Sequence, residues 1–247
     1  MSESRPSHLS QMGATHWSDV LAPNHSSLAP DERRARLERF FDQYSSAVRK
    51  YLGHLLATHR NRNELVEESF QLFAARFLEG RLGSASPEGG RRFRHYLKAT
   101  LRNLVYDRYR ERPIGELDSA LSLAASAASV SDEDRAMEAI LREEFVQRAM
   151  RQIADLDRRV QTCLHEVLRL RIRFPDAEYT ELAEHLSGSL GKTVDAGWVR
   201  KRMHFAREKL KEFLREEVGA SLDDPSEDAV DDELAALGLL EYVRKKG

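Results

Sequence analysis

The sequence is poor in the residues that hold small disulfide-linked folds or metal ions together. It contains a single cysteine, Cys163, so no disulfide can form within the chain, which favours a reducing compartment such as the cytoplasm. The histidines are scattered without the spacing of a metal site, and the adjacent Glu67 and Glu68 point in different directions on a helix. We therefore expect no metal, no cofactor and no catalytic residue, and we predict that the chain is not an enzyme.

Long apolar runs are also missing. No apolar stretch approaches the roughly 20 residues that a membrane-spanning helix needs. The first thirty residues lack the basic start and the apolar stretch of a signal peptide. Charged residues make up 32% of the chain. These features predict a soluble cytoplasmic protein with no membrane partner.

The net charge of −2 conceals an alternation of charge along the chain. Residues 31–112 carry +7 and residues 145–216 carry +4, whereas residues 113–144 and 217–247 carry −6 each. This distribution is typical of polyanion-binding modules that are joined by solvated spacers. Arginine-rich helices that serve only solubility would give the same balance, so charge alone does not decide the function.

Nearly every periodic segment favours a helix, because apolar residues recur at spacings of three and four and β-branched alternation is lacking. Helices are predicted at about 30–56, 63–79, 92–110, 134–155, 157–173, 179–186 and 195–216. The expected fold is all-α, with two small helical bundles joined by a flexible acidic linker. The predicted division is an N-terminal extension at 1–30, bundles at 31–112 and 145–217, the linker at 113–144, and an acidic C-terminal extension at 218–247.

Two helices near the C-terminus form a helix-turn-helix pattern. A short helix that contains Leu182 and Leu186 is followed by a turn rich in glycine and serine, and then by a longer helix. In such a pair the first helix braces the second, whose exposed face enters the major groove of DNA. The predicted contacts to DNA are Arg200, Lys201, Arg202, His204 and Arg207. A solvated basic face on an ordinary helical hairpin is the alternative, and Trp198 fits either the core or a contact to the phosphate backbone.

A second pattern lies in the predicted helix at 92–110 and the loop at 80–90 before it. Arginine and lysine residues alternate there with Phe93, Tyr96, Tyr106 and Tyr109. Basic groups can follow a sugar-phosphate backbone while aromatic rings stack on unpaired bases, so the pattern favours single-stranded or melted DNA. The alternative is that the aromatic residues are core and the arginines are incidental, which is the better interpretation for Phe93.

The order of these motifs resembles that of the sigma-70 superfamily of RNA polymerase sigma factors, in its extracytoplasmic-function branch. Residues 63–73, NELVEESFQLF, are similar to the family's polymerase-binding helix, with Glu67 where glutamine is usual. FRHYL and NLVYDRYR match the family's next helix, with Tyr96 where tryptophan is commoner, and WVRKRMHFAREKLKEFL is similar to its last helix. The N-terminal THWSDVL and the loop ASPEGGRRFR resemble a subgroup common in planctomycetes.

The resemblance implies a role for each segment. The first bundle would bind core RNA polymerase and capture the minus-ten element of promoter DNA, with one base flipped out beside the loop at 80–90. The resemblance assigns polymerase binding to Leu65, Glu68, Phe70, Gln71 and Phe73, of which Phe73 is the best candidate for core. It assigns minus-ten DNA binding to Arg91, Arg92, Arg94, Lys98, Arg102 and Asn103. The second bundle would read the minus-thirty-five element through the five residues of the helix-turn-helix.

Other interpretations remain open. A helix-turn-helix activator or repressor would bind duplex DNA without being a polymerase subunit, and a helical adaptor or a nuclease is less well supported. The C-terminal extension is expected to fold back on a basic surface or to bind a regulator such as an anti-sigma factor. A disordered solubilising tail is the alternative for that segment.

Overall fold

The computed structural model describes residues 30–79, 93–110, 127–222 and 225–243, and every regular element in these ranges is an α-helix. The predicted all-α fold class is therefore confirmed. The helices are α1 (Pro30–Leu55), α2 (Arg62–Leu78), α3 (Phe93–Arg110), α4 (Ala127–Val160), α5 (Leu164–Arg173), α6 (Tyr179–Leu190), α7 (Ala196–Gly219), α8 (Glu227–Ala236) and α9 (Leu240–Val243). The predicted N-terminal extension and the loop at 80–90 lie outside the described residues.

Contacts divide the chain into two compact units, and the division falls within α4. Unit 1 comprises the described residues up to Leu141 together with Gly219–Val230, and unit 2 comprises Arg142–Val218 together with the described residues from Asp231 onward. The core of unit 1 is built by α1, α2 and α3 with the first half of α4. Its aromatic centre is the stack of Phe40 on Phe77, whose ring centroids are 4.2 Å apart.

The core of unit 2 is built from one apolar stripe on each of four helices. Its buried members are Ile153, Leu164, Val167, Leu168, Leu182, Ala183, Leu186, Val199, Met203 and Ala206. On α6 the three buried residues are spaced one and three apart, and on α7 they are spaced four and three apart, as a helix with one apolar face requires. The core holds α6 and α7 on the same scaffold, which fixes the outer face of α7.

The boundary between α4 and α5 lies later in the chain than the sequence predicts. A break was expected at about Asp157, but α4 continues to Val160, and Gln161 and Cys163 then adopt positive φ angles of 50° and 60°. Asp157 does cap a helix, although it does so from a distance. Its carboxylate accepts hydrogen bonds from the backbone N–H groups of Leu164 (3.0 Å) and His165 (2.7 Å) at the start of α5.

For the acidic segment at 113–144 the sequence predicted a flexible linker that ends in a helix from about residue 134, but the helix begins earlier, at Ala127. Residues 127–144 form the first half of α4, so this half of the segment is helical and packed instead of being a solvated spacer. Met137 and Leu141 are buried in unit 1, and Glu144 is buried in unit 2. Alanine at positions 127, 128, 136 and 139 favours a helix, and the apolar residues within the acidic sequence give that helix a face to bury. The residues from 113 to 126 lie outside the described ranges.

The C-terminal extension is also helical where the structure describes it. Leu234, Leu237 and Leu239 are buried in unit 2, and Arg215 of α7 forms an ion pair with Asp231 of α8. The alternative of a disordered tail is therefore wrong for residues 225–243. No helix in the described ranges is both long enough and apolar enough to cross a membrane.

Candidate nucleic-acid interface

The helix-turn-helix of unit 2 is shaped by local hydrogen bonds at its turn. The helix α6 ends at Leu190, four residues later than predicted, and Gly191 then adopts a left-handed conformation with φ of 63°. Glycine is suited to this position because it has no Cβ to clash. The Ser187 hydroxyl accepts a hydrogen bond from the backbone N–H of Val194 at 2.9 Å. Asp195 caps α7 by accepting one from the backbone N–H of Trp198 at 2.7 Å.

The outer face of α7 is basic and open to solvent. Arg200, Lys201, His204 and Arg207 are all exposed, and we call these four residues the open face. Within the described part of the chain, none of the four lies within ion-pair distance of a carboxylate. Valine and methionine at 199 and 203 face the core instead. The sequence-based placement of the four residues on one exposed face agrees with the structure.

Aromatic rings hold the arginines at the start of α7. The Arg200 guanidinium lies 5.3 Å from the centroid of the Tyr179 ring at the beginning of α6, and Arg171 lies 5.2 Å from the same ring. Arg202 is half-buried, with its guanidinium 5.2 Å from the Trp198 ring. Trp198 is half-buried and packs against the core of unit 2, which favours the core interpretation of this residue. The role of Tyr179 was not predicted, because it is separated from Arg200 by a whole helix.

Three of the α3 residues that were predicted to bind DNA are paired with carboxylates, unlike the residues of the open face. Each of three basic residues at four-residue intervals pairs with a carboxylate of α4. Arg94 Nε lies 3.9 Å from Glu138 Oε1, Lys98 Nζ pairs with Asp134, and Arg102 Nη1 lies 3.5 Å from Glu133 Oε2. We call Arg94, Lys98 and Arg102 the covered face. Asn103 is exposed, and Arg91 and Arg92 lie outside the described residues.

The prediction that Arg94, Lys98 and Arg102 are directly available to DNA is therefore wrong for this conformation. Arg94 is 7% exposed, so its guanidinium cannot reach a strand in this conformation. The three carboxylates were missed because they lie about 30 to 45 residues away in the sequence, and no local pattern connects them to α3. Charge balance was the one available signal, since a block of +7 is followed by a block of −6.

The predicted polymerase-binding residues of α2 divide into two groups. Leu65 and Phe73 are buried in the core of unit 1, so the prediction of a direct contact is corrected for both. Gln71 is exposed, and Phe70 is half-buried beneath the Arg49 guanidinium, which lies 3.5 Å from the ring centroid. Glu68 forms an ion pair with Arg108 of α3. A surface of α2 that includes Phe70 and Gln71 therefore remains open to a partner.

No group of three or more metal-binding side chains occurs in the described residues. Comparison with protein-family models, with curated proteins and with solved structures gives no match to this chain.

Proposed function

We propose that this chain is an alternative sigma factor, which binds core RNA polymerase, recognises promoter DNA and helps to melt it at the start of transcription. The observation that carries the proposal is the open face on the second helix of a helix-turn-helix. Its support is the order of the sequence motifs, with a polymerase-binding pattern and an aromatic-basic helix preceding the helix-turn-helix. The factor acts in the cytoplasm and has no catalytic residue of its own.

The open face is suited to duplex DNA by its position on α7. Arg200, Lys201 and His204 lie in the first half of the helix, which in helix-turn-helix proteins contacts base edges. Arginine can donate two hydrogen bonds to guanine, and lysine can donate to guanine or to phosphate. Arg207 lies one to two turns further along and fits a phosphate contact. The proposed ligand of this face is the minus-thirty-five duplex.

The first test concerns sequence recognition by Arg200. We expect Arg200→Ala to reduce the preference for promoter over scrambled duplex by about 1–3 kcal/mol, because a bidentate contact to guanine is lost. The measurement is a competition titration with the full chain at fixed salt. Lys192→Ala, which alters a basic residue outside the open face, is the matched control. Unchanged discrimination by Arg200→Ala would contradict base reading by this residue.

The second test separates a sigma factor from a helix-turn-helix regulator that acts without being a polymerase subunit. We expect the purified chain to co-elute with core RNA polymerase in gel filtration. Gln71→Ala should weaken this association, since Gln71 is exposed on the proposed polymerase surface, whereas the exposed Gln147→Ala should not. Promoter binding without any polymerase association would favour the regulator.

A further inference from the structure

The covered face and its carboxylates form an antiparallel ladder within unit 1. Along α3 the partners of Arg94, Lys98 and Arg102 are Glu138, Asp134 and Glu133, so the residue number falls on α4 as it rises on α3. We call Glu133, Asp134 and Glu138 the acidic cover. Three consecutive basic positions on one helix are thus matched by three acidic positions on another. The basic residues are spaced four and four apart on α3, and their partners are spaced four and one apart on α4.

The ladder is more buried than an ordinary surface ion pair. One end of each ladder pair is 7–15% exposed and the other end is 24–42% exposed, whereas both ends of the local pair of Arg135 with Asp132 on the same helix are more than 70% exposed. Buried charges require a partner, because desolvation without one is costly. The acidic cover therefore supplies the negative charge that the basic groups of α3 need in this conformation.

The apolar residues of α4 hold the acidic cover against the rest of unit 1. Met137 and Leu141 are buried, and they lie at positions that share a helix face with Glu133, Asp134 and Glu138. Beneath the ladder, the hydroxyl of Tyr51 makes no hydrogen bond within the described part of the chain. Arg94 Nε and Glu133 Oε2 are also buried and make no hydrogen bond, so the seam between α3 and α4 combines apolar packing with several polar atoms that are not hydrogen-bonded in the described residues. Such a seam can open at a lower cost than a fully matched core.

Arg94, Lys98 and Arg102 are also the cations that the sequence predicts to contact a nucleic-acid strand. Carboxylates spaced along one face present negative charge to the cations of α3, as successive phosphates of a strand would do. We propose that the acidic cover is an autoinhibitory element, which competes with single-stranded DNA for the covered face and must leave α3 before a melted strand can bind. The choice of single-stranded DNA as the ligand rests on the proposed function. The competition itself rests on the ladder.

The test measures binding of the full chain to a fluorescein-labelled single-stranded oligonucleotide, without polymerase. The variant Glu133→Gln, Asp134→Asn, Glu138→Gln removes the negative charge of the acidic cover and nearly preserves its shape. The control Asp132→Asn, Glu143→Gln, Asp155→Asn removes the same number of carboxylates from exposed or half-exposed positions of the same helix. Anisotropy is titrated for the wild type and both variants at several salt concentrations.

We expect the cover variant to bind the oligonucleotide about tenfold more tightly than the wild type at low salt. The slope of the logarithm of its binding constant against the logarithm of the salt concentration should be steeper by about 2, because each of three additional phosphate contacts contributes about 0.7. The control should show a much smaller change. Adding Lys98→Gln to the cover variant should remove much of the gain, since that cation would make one of the new contacts. Equal affinity of the cover variant and the wild type, or an equal gain in the control, would overturn the proposal.

Hydrogen exchange gives a readout that does not depend on any variant. When the wild-type chain binds the oligonucleotide, amides of residues 131–141 should exchange faster, because this part of α4 leaves α3. Slower or unchanged exchange there would overturn the proposal. If the cover variant binds more tightly but the chain does not direct transcription, the proposed sigma-factor function is contradicted and the proposed autoinhibition is supported. If the chain directs transcription but the cover variant binds no more tightly than the wild type, only the proposed autoinhibition is contradicted.

Discussion

The two basic faces of this protein differ in what surrounds them. The open face on α7 has no carboxylate within ion-pair distance in the described residues, whereas each cation of the covered face on α3 pairs with a carboxylate of α4. Both faces come from arginine-rich helices that look alike in the sequence. The difference shows that the charge pattern of a helix does not by itself tell whether its cations are available to a ligand, because distant carboxylates of the fold can pair with them.

Replacing one arginine on each face should change the stability of the protein by clearly different amounts. Arg102→Ala should lower the free energy of unfolding by about 2 kcal/mol, because it leaves the buried Glu133 carboxylate without its cation. Arg200→Ala, on the open face, should change it by less than about 0.5 kcal/mol. Urea denaturation of both variants measures the difference. Equal destabilisation by the two substitutions would mean that the faces do not differ as described.

A smaller effect is expected on DNA binding by the open face. Tyr179→Ala should weaken promoter binding by about 0.5–1 kcal/mol, because the ring no longer restricts the Arg200 guanidinium that lies 5.3 Å from it. Tyr179→Phe keeps an aromatic ring and should bind as the wild type does. The loss in Tyr179→Ala should disappear when Arg200 is also replaced by alanine. Additive losses in the double variant would show that Tyr179 acts independently of Arg200.

The smallest effect concerns the seam beneath the covered face. Burial, and next the nearby Glu133 carboxylate, raise the pKa of Tyr51 above its ordinary value of about 10. The folded state therefore keeps its proton at a pH where the unfolded chain loses it, so stability should fall as the pH rises above about 10. Tyr51→Phe should reduce this dependence and leave the smaller part that comes from Tyr96, whose pKa is also raised by burial. At neutral pH it should change stability by less than about 1 kcal/mol, since the hydroxyl makes no hydrogen bond in the described ranges.

These changes in Tyr51→Phe are measured by denaturation at pH 7 and at alkaline pH up to about 11. A large loss of stability at neutral pH would indicate that the hydroxyl has a partner. An alkaline dependence as steep as that of the wild type would show that another group causes it.

The sequence was sufficient to predict the helical class and the helices with a strong apolar periodicity. The helix α1 begins at Pro30 as expected, and α3 ends at Arg110 as expected. The open face was also predicted, because Val199, Met203 and Ala206 define the buried side of α7 and so leave Arg200, Lys201, His204 and Arg207 outside. These features depend on residues within about one or two helical turns of each other.

Features that depend on distant residues were not predicted. Asp157 has the side chain of a helix cap, but it caps a helix that begins seven residues later instead of its own. The acidic segment was interpreted as a spacer because its charges are visible in the sequence and their partners on α3 are not. Likewise, Leu65 lies in the motif that resembles a polymerase-binding helix but is buried, and only the fold reveals which of the motif's side chains face inward.

Transcription reconstituted with purified core RNA polymerase on a library of promoters measures whether the chain acts as a sigma factor. We expect initiation at a reproducible set of start sites that share upstream elements, with a marked loss when Arg200 is replaced by alanine. No initiation above the level of core polymerase alone, with no association between the chain and the enzyme, would contradict it.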